Sequence, residues 1–481
     1  MAAEDRYAGY RSPLETRNAS KAMRAVFSER RKFGYWRRIW LALAESQREL
    51  GLDISTEQID GIRAVLDDID FDRAAEHETR LRHDVMAHVH ALGDQVPAAA
   101  GIIHLGATSQ DVVCNADILI QKEALSLVAT KLARVVDRLG TFAATHRALP
   151  TLGFTHYQPA QPTTVGKRAT LWAQDFAFAL EEIERLRDEL RLRGMRGATG
   201  TQASFYGLLD RDAERTERLE HLVAERLGWD PRRTWSVCGQ TYPRLADARL
   251  LANLALIGAA VHKCCNDLRL LANLREVEEP FGKDQIGSSA MAYKRNPMRC
   301  ERATGLARFV INLVGNGYDT AATQWFERTL DDSSNRRLSI AEGFLAIDGC
   351  LDILENVSSG LVVHEKVVEA RLRAELPFMA TEDLMLEAAK QGGDRQHLHE
   401  VIRKASMEAA RRIKEEGRSN DLLDRLRDTP EFANVSFDDV LDPSRFVGLA
   451  PAQVDRFIRD VVDPIRQRHA STLESNADLR V

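Results

Sequence analysis

Residues 287–302, GSSAMAYKRNPMRCER, place hydroxyl, amine, guanidinium and amide groups in one short polar stretch. Pro280 ends the helical pattern before it, and Asn296 followed by Pro297 is typical of a helix N-cap and first helical position. The sequence therefore predicts a mobile loop over residues 281–296 that leads into a helix. The N–H groups of that helix, together with Lys294, would bind a carboxylate or a phosphate.

A serine hydroxyl beside such positive charge loses its proton more easily than it does in water. This makes Ser288 or Ser289 a candidate base or nucleophile, and the residues themselves do not distinguish the two. The alternative is a hydrophilic surface loop with capping serines, and the stretch taken alone favours that alternative.

Histidines in two further stretches, RLRHDVMAHVH at 80–90 and GFTHYQPAQPTT at 153–164, could transfer protons near neutral pH. For His156, the alternative is a loop histidine bonded to a backbone carbonyl. His83, His88 and His90 have neither an HExxH pattern nor cysteine partners, so we expect no catalytic metal.

The stretch QWFERTLDDSSNRR, residues 324–337, combines arginines with hydroxyls. Guanidinium forks and a hydroxyl suit a phosphate, which makes the arginines and serines of this stretch candidate ligands. The alternative is a salt-bridged helix start capped by Ser334, and both interpretations can hold. The glycines in RGMRGATGTQ, residues 193–202, lack a preceding strand and a GKS/T ending, so they indicate a turn after a helix and not a phosphate loop.

Long helices must position these groups, because five segments show helical periodicity. They are residues 115–147, 167–193, 245–279, 297–316 and 334–358. LANLALIGAAVHKCC, residues 251–265, is apolar around most of its circumference and must be covered on all sides, which indicates an oligomer. The only short β-like runs are IIHLG and GLVV, too few for a sheet of any size.

We therefore predict an all-α fold of three helical domains. Residues 1–108 would form an N-terminal helical domain, residues 109–361 a central long-helix bundle that includes the polar loop at 281–296, and residues 362–481 a C-terminal helical domain. The central bundle would form the core of an oligomer.

The composition excludes several partners. A net charge of -6 over 481 residues provides no basic field for nucleic acid. The N-terminus has no apolar h-region, and no run of eighteen apolar residues is free of charge, so neither secretion nor a membrane partner is expected. The six cysteines lack CxxC spacing, which suits reduced thiols in the cytoplasm.

The stretch GSSAMAYKRNP resembles the GSSxMPxKxNP signature of the fumarase/aspartase superfamily, with Ala292 in place of the usual proline. RLRHDVMAHVH, LGATSQDVVCN at 105–115, GFTHYQPAQPTT and QWFERTLDDSSNRR resemble one branch, the adenylosuccinate lyase family. Together these stretches are spread over most of the chain.

The resemblance implies roles for particular residues. The implied catalytic groups are Ser288 as general base, the choice over Ser289 resting on family register, His156 as general acid, Lys294 as charge stabiliser and His83 as an assisting group. The implied substrate-binding residues are Arg17, Asn18, Arg82, His83, Asp84, Thr108, Ser109, Gln240, Asn296, Arg302, Arg328, Ser333 and Arg337. Asn18 stands where related enzymes often have tyrosine.

The resemblance also implies a reaction: β-elimination of fumarate from adenylosuccinate, giving AMP, and from the succinyl-carboxamide ribotide of purine synthesis. No cofactor is expected, and the family implies a homotetramer with active sites shared between subunits. The alternatives are another lyase of the superfamily, such as argininosuccinate lyase or fumarase, and a helical scaffold that has kept the shape of a lyase.

Overall fold

The computed structural model describes residues 8–437 and 442–474, and helices dominate it. The helices of the first third are α1 Lys21–Val26, α2 Glu29–Glu49, α3 Thr56–Ala64, α4 Phe71–Leu81, α5 Asp84–Gln95 and α6 Ser109–Thr145. The helices of the middle third are α7 Val165–Glu189, α8 Ala203–Leu208, α9 Ala213–Arg226, α10 Leu245–Asn273, α11 Met298–Ala322 and α12 Asp331–Ser359. Those that follow are α13 Glu365–Met379, α14 Thr381–Lys390, α15 Arg395–Glu416, α16 Leu422–Arg427, α17 Ala450–Phe457 and α18 Asp463–Arg468.

The central bundle consists of α6, α7, α10, α11 and α12, and it confirms the long helices predicted from periodicity. Helices α6 and α12 run in the same direction, because Arg336 bonds Asp117 near their starts and Lys131 pairs with Asp352 further along. Helices α11 and α12 run in opposite directions, as the pairing of Asn316 with Asn335 shows. The all-α prediction is confirmed.

Helix α10 is long and apolar enough to pass a test for a membrane-spanning segment, the only helix in the described part of the chain to do so. Half of its most apolar window is buried, and it packs against α7, α11 and α12. Its contacts are those of a core helix within the bundle.

The strands differ from the prediction. An antiparallel hairpin, β1 Pro150–Thr155 and β2 Gln158–Thr164, projects from the bundle where a loop was expected, because prolines at 159 and 162 hide the strand pattern. GLVV contributes β4 Val362–Val363, which pairs with β3 Val277–Glu278. IIHLG forms turns and not a strand, so that expectation is wrong.

Separate apolar clusters lie at the two ends of the chain. One joins α2, α3 and α5 to the start of α6, and another joins α14, α15 and α16. Val454, Val462 and Ile465, near the C-terminus, belong instead to the cluster of the central bundle. The segment after residue 442 therefore returns to pack against α6 and α7.

Candidate active site

The N-terminal ends of α5, α6 and α12 meet at one end of the bundle and bring predicted site residues together. His83 is the N-cap of α5 and its Nε2 lies 3.4 Å from Ser109 Oγ, at the first residue of α6. Asp84 accepts a hydrogen bond from Arg337 Nη2 at 3.0 Å. Arg82, which precedes this pair, ends α4 in the left-handed conformation and is exposed.

Four more predicted residues lie in this group. The Gln240 backbone N donates to Glu327 O at 3.2 Å, which places it beside Arg328. With the Gln110 amide oriented so that its oxygen faces the guanidinium, Arg328 donates to it at 3.0 Å. We call the whole set the helix-end cluster: His83, Asp84, Thr108, Ser109, Gln240, Arg328, Ser333 and Arg337.

A fully buried ion pair between Arg193 and Asp111 lies beneath the helix-end cluster, and sequence reasoning missed it. Asp111 accepts hydrogen bonds from the backbone N atoms of Thr108, Arg196 and Gly197 at 2.8, 2.7 and 3.1 Å. Arg193 Nη2 donates to Gly197 O at 2.7 Å and to the Gly239 carbonyl, next to Gln240, at 3.1 Å. The pair therefore joins the start of α6, the glycine turn after α7 and the segment that carries Gln240.

The predicted glycine turn is confirmed, because Gly194, Gly197 and Gly200 follow α7 with positive φ. Arg196, within this turn, donates to Glu220 Oε1 at 2.8 Å. Glu220 is only 7% exposed, and burial raises the pKa of its carboxyl to about 7. Arg196 opposes that rise without cancelling it.

The start of α12 is anchored by a second buried network. Arg336 donates to Asp247 at 2.6 Å and to Asp117 at 3.0 Å. Burial alone would raise the pKa of Asp247, but Arg336 and Arg244 outweigh it and the pKa is lowered. Helix α12 begins at Asp331, so Ser334 lies inside the helix, and the expectation that it caps the helix is wrong.

The signature loop, residues 281–297, lies between β3 and α11 and contains no helix or strand, as predicted. Ser288 is half-buried, and its Oγ accepts hydrogen bonds from the backbone N atoms of Ala290 and Met291 at 3.3 and 3.1 Å. Ser289 and Lys294 are exposed. Donors directed at Ser288 Oγ stabilise a negative charge on that oxygen.

The N-terminus of α11 differs from the expectation. Asn296 does not cap the helix: its Nδ2 donates to Gly287 O at 2.7 Å and closes the loop. The buried carboxylate of Glu279 accepts from the backbone N atoms of Arg299 and Cys300, both at 3.0 Å. The anion site predicted at this helix end is therefore already filled by a side chain of the chain itself.

Arg302, in the first turns of α11, lies close to Arg17. Burial lowers the pKa of Arg302, and the positive charge of Arg17 lowers it further. Asn18 approaches Gly349 of α12, and its Nδ2 donates to Pro13 O at 3.0 Å. Arg17, Asn18 and Arg302 thus lie on the signature-loop side of the bundle.

His156 lies at the tip of the β1–β2 hairpin, fully in solvent. His156 and Tyr157 both have positive φ, 53° and 57°, and Thr155 pairs with Gln158 across the turn. A two-residue turn of this kind matches the twist of the flanking strands and presents the imidazole outward.

A single chain does not bring these three regions together. Helix α6 has 37 residues, and it separates Ser109 from the base of the hairpin by about 55 Å at the usual helical rise. Helix α11 has 25 residues, about 37 Å, between the signature loop and the end of the bundle where α12 begins. The helix-end cluster is thus far from both Ser288 and His156.

No group of three or more histidine, cysteine, aspartate or glutamate side chains in the described ranges is arranged to hold a metal ion. His88 is buried, with its ring stacked on Phe33 at 3.7 Å. Burial, with Arg37 and Lys32 nearby, lowers the pKa of His88 to about 4. It is a neutral core residue.

Family models match two parts of the chain. The model described as lyase matches residues 15–312, and the model described as adenylosuccinate lyase C-terminus matches residues 377–457. Among the similar relatives, the adenylosuccinate lyase of Schizosaccharomyces pombe is 48% identical over 99% of both chains. That of Saccharomyces cerevisiae is 49% identical over 95% of both, and that of Schistosoma mansoni is 45% identical over 99% of this chain and 100% of the relative.

Solved structures share the fold at lower identity. A fumarate lyase from Mesorhizobium superposes with a TM-score of 0.78 at 26% identity and covers 95% of this chain and 99% of its own. A 3-carboxy-cis,cis-muconate lactonizing enzyme from Pseudomonas putida has a TM-score of 0.81 at 24% identity, with the same coverage.

Proposed function

The chain belongs to the adenylosuccinate lyase family, and from that premise we propose that it removes fumarate from adenylosuccinate by β-elimination, giving AMP. The same chemistry on the succinyl-carboxamide ribotide gives the free carboxamide, so the chain is a carbon–nitrogen lyase of purine biosynthesis. Identity of 48% over nearly the whole length of a relative with this name is the observation that carries the proposal.

Ser288 acts as the general base. Its Oγ already accepts two backbone N–H bonds, which stabilise the alkoxide that removes the Cβ proton beside a carboxylate. As that proton leaves, negative charge builds up on the carboxylate, and Lys294 and Asn296 on the same loop stabilise it. The exposure of Ser289 supports Ser288 as the base.

His156 acts as the general acid. As the carbon–nitrogen bond breaks, the electron pair goes to nitrogen, and the imidazolium donates its proton there, so that fumarate and the neutral amine leave. The hairpin projects His156 into solvent. This is the position expected of a residue that reaches into the cavity of a neighbouring subunit. His83, at the helix-end cluster, assists by binding the substrate together with Ser109.

The helix-end cluster binds the substrate. Arg328, Ser333 and Arg337 bind the phosphate, while Thr108, Ser109 and Gln240 donate to polar groups of the succinyl and base moieties. Arg82 and Asp84 line the approach beside His83. Arg17, Asn18 and Arg302 bind the substrate from the signature-loop side.

A homotetramer assembles these groups, because no single chain brings the three regions together. Apolar side chains left exposed on the long helices support such an assembly, and a second copy would bury them. They are Leu171, Phe178, Leu270, Phe309, Ile311 and Leu338.

The chain divides into three domains, with boundaries at residues 108 and 361. The separate apolar clusters of α2–α5 and α14–α16 support this division. The last helices, which pack on the bundle, extend the third domain back to the centre. The enzyme acts in the cytoplasm, without a cofactor or a catalytic metal.

Mixing two inactive variants tests both the chemistry and the shared site. Ser288→Ala and His156→Ala should each abolish fumarate release from adenylosuccinate, measured by ultraviolet absorbance. When equal amounts are mixed and allowed to exchange subunits, about one quarter of the sites should regain both groups if they come from different subunits.

Zero recovery, with subunit exchange demonstrated by native mass spectrometry, would show that one protomer supplies both groups and would refute the shared site. Near-normal turnover in either single variant would refute its assigned role. Absence of wild-type activity on succinylated purine nucleotides would refute the function itself.

A further inference from the structure

A cavity of about 200 Å³ opens beside the helix-end cluster, and one of the positively charged side chains that line it has no role assigned above. Its walls include Ser333 and Arg337 of α12, the residues proposed to bind the substrate phosphate. Lys32 of α2 lines the same cavity. It comes from a helix that carries none of the family motifs.

The carboxylates around this cavity are already paired. Asp84 bonds Arg337 at 3.0 Å, and Asp117 bonds Arg336 at 3.0 Å. Among the described residues, no carboxylate forms an ion pair with Lys32. Lys32, which has no such ion pair, and Arg337, which is paired with Asp84, thus line one cavity together with Asp117.

Aromatic rings hold the ammonium group in place. Lys32 Nζ lies 4.9 Å from the ring centroid of Phe33 and 4.9 Å from that of Trp36, which fixes a side chain that would otherwise be free in solvent. Burial lowers the pKa of Lys32, and the neighbouring charge of Arg337 lowers it further. A dianion in the cavity would relieve this repulsion and retain the proton on Lys32.

We propose that Lys32 is a fourth ligand of the substrate's phosphate monoester, acting from the lining of the same cavity as Ser333 and Arg337 and together with Arg328. The inference rests on the proposed function for the identity of the substrate. It adds a residue from α2 to the set that recognises the phosphate. The ammonium group of Lys32 complements the guanidinium fork of Arg337. A compact charge tolerates several orientations of the phosphate, whereas the fork requires one.

Binding of AMP and adenosine, which differ only by the phosphate, tests the proposal directly. We expect Lys32→Gln to weaken AMP binding about tenfold, the effect of losing one charge-assisted contact, and to leave adenosine binding unchanged. Lys32→Arg should restore part of the difference. Titration calorimetry measures both ligands without requiring turnover, so the result is independent of whether the chain is a lyase.

Lys122→Gln is the matched control, because Lys122 Nζ also lies over an aromatic ring, that of Trp229 at 4.5 Å, but away from the cavity. It should change neither affinity. In the catalysed reaction, Lys32→Gln should raise KM for the nucleotide with little change in kcat.

An unchanged ratio of AMP to adenosine affinity in Lys32→Gln would overturn the proposal. Equal weakening of both ligands would also overturn it, since it would show a structural effect on the whole site. Failure of the wild-type chain to cleave adenylosuccinate while AMP still binds through Lys32 would refute the lyase function and leave this inference standing.

Discussion

Replacing Arg193 by methionine tests the view that the buried pair with Asp111 holds the helix-end cluster together. Both side chains are completely buried, so methionine, of similar length, removes the charge and its hydrogen bonds without opening a large cavity. The carbonyls of Gly197 and Gly239 lose their donor at the same time.

Breaking a buried ion pair by removing one partner costs about 3–5 kcal/mol, because the remaining charge is left without compensation. Here Asp111 retains three backbone N–H donors, from Thr108, Arg196 and Gly197, which still stabilise its charge. We therefore expect a loss near the lower limit, about 3 kcal/mol in the free energy of unfolding. Because the Gly239 carbonyl is released beside Gln240, substrate KM should also rise.

Urea unfolding followed by circular dichroism, at one fixed protomer concentration, measures the first effect. The control is Arg232→Met, which breaks an ion pair with Asp230 in which the arginine is 90% exposed and which should contribute little to stability. If Arg193→Met costs no more than this control, or if stability falls while KM is unchanged, the pair does not organise the cluster.

Two further predictions concern single groups. Ser288→Ala should abolish turnover while AMP still binds by calorimetry, whereas Ser289→Ala should keep most of the activity, and the reverse pattern would assign the base to Ser289. Glu220→Gln tests a buried acid whose pKa rises from 4.5 to about 7 on folding. The folded state then holds its proton more tightly, so between those pH values wild-type stability should fall relative to the Gln variant by about 3 kcal/mol as pH rises. Parallel curves for wild type and Glu220→Gln would contradict the assignment.

The sequence predicts the helices well because their periodicity is strong and their length averages out local exceptions. It fails at the β1–β2 hairpin, where prolines and glutamines are stabilised in strands by pairing across the turn and not by their own propensity. IIHLG has the composition of a strand but no partner to pair with, so it forms turns.

The site residues that lie in motifs could be identified from the sequence, but the buried residues that hold them in position could not. Asp111 and Arg193 lie 82 positions apart and meet only through folding. Glu279 caps α11 from the far side of the signature loop, 20 positions before Arg299. Local cap rules pointed to Asn296, which lies beside the helix in sequence, and they cannot detect a competitor supplied by tertiary structure.

Glu279 also determines which groups remain to stabilise negative charge on a ligand near α11. A ligand arriving near α11 meets a helix dipole whose positive end is already neutralised, so the rigid scaffold offers it little attraction. Favourable interactions with the ligand must come from the loop amides and from Lys294, which lie on the same segment as Ser288. In the proposed mechanism, proton removal and charge stabilisation therefore both depend on this loop, and a loop displaced from the site would leave a bound succinyl group chemically inert.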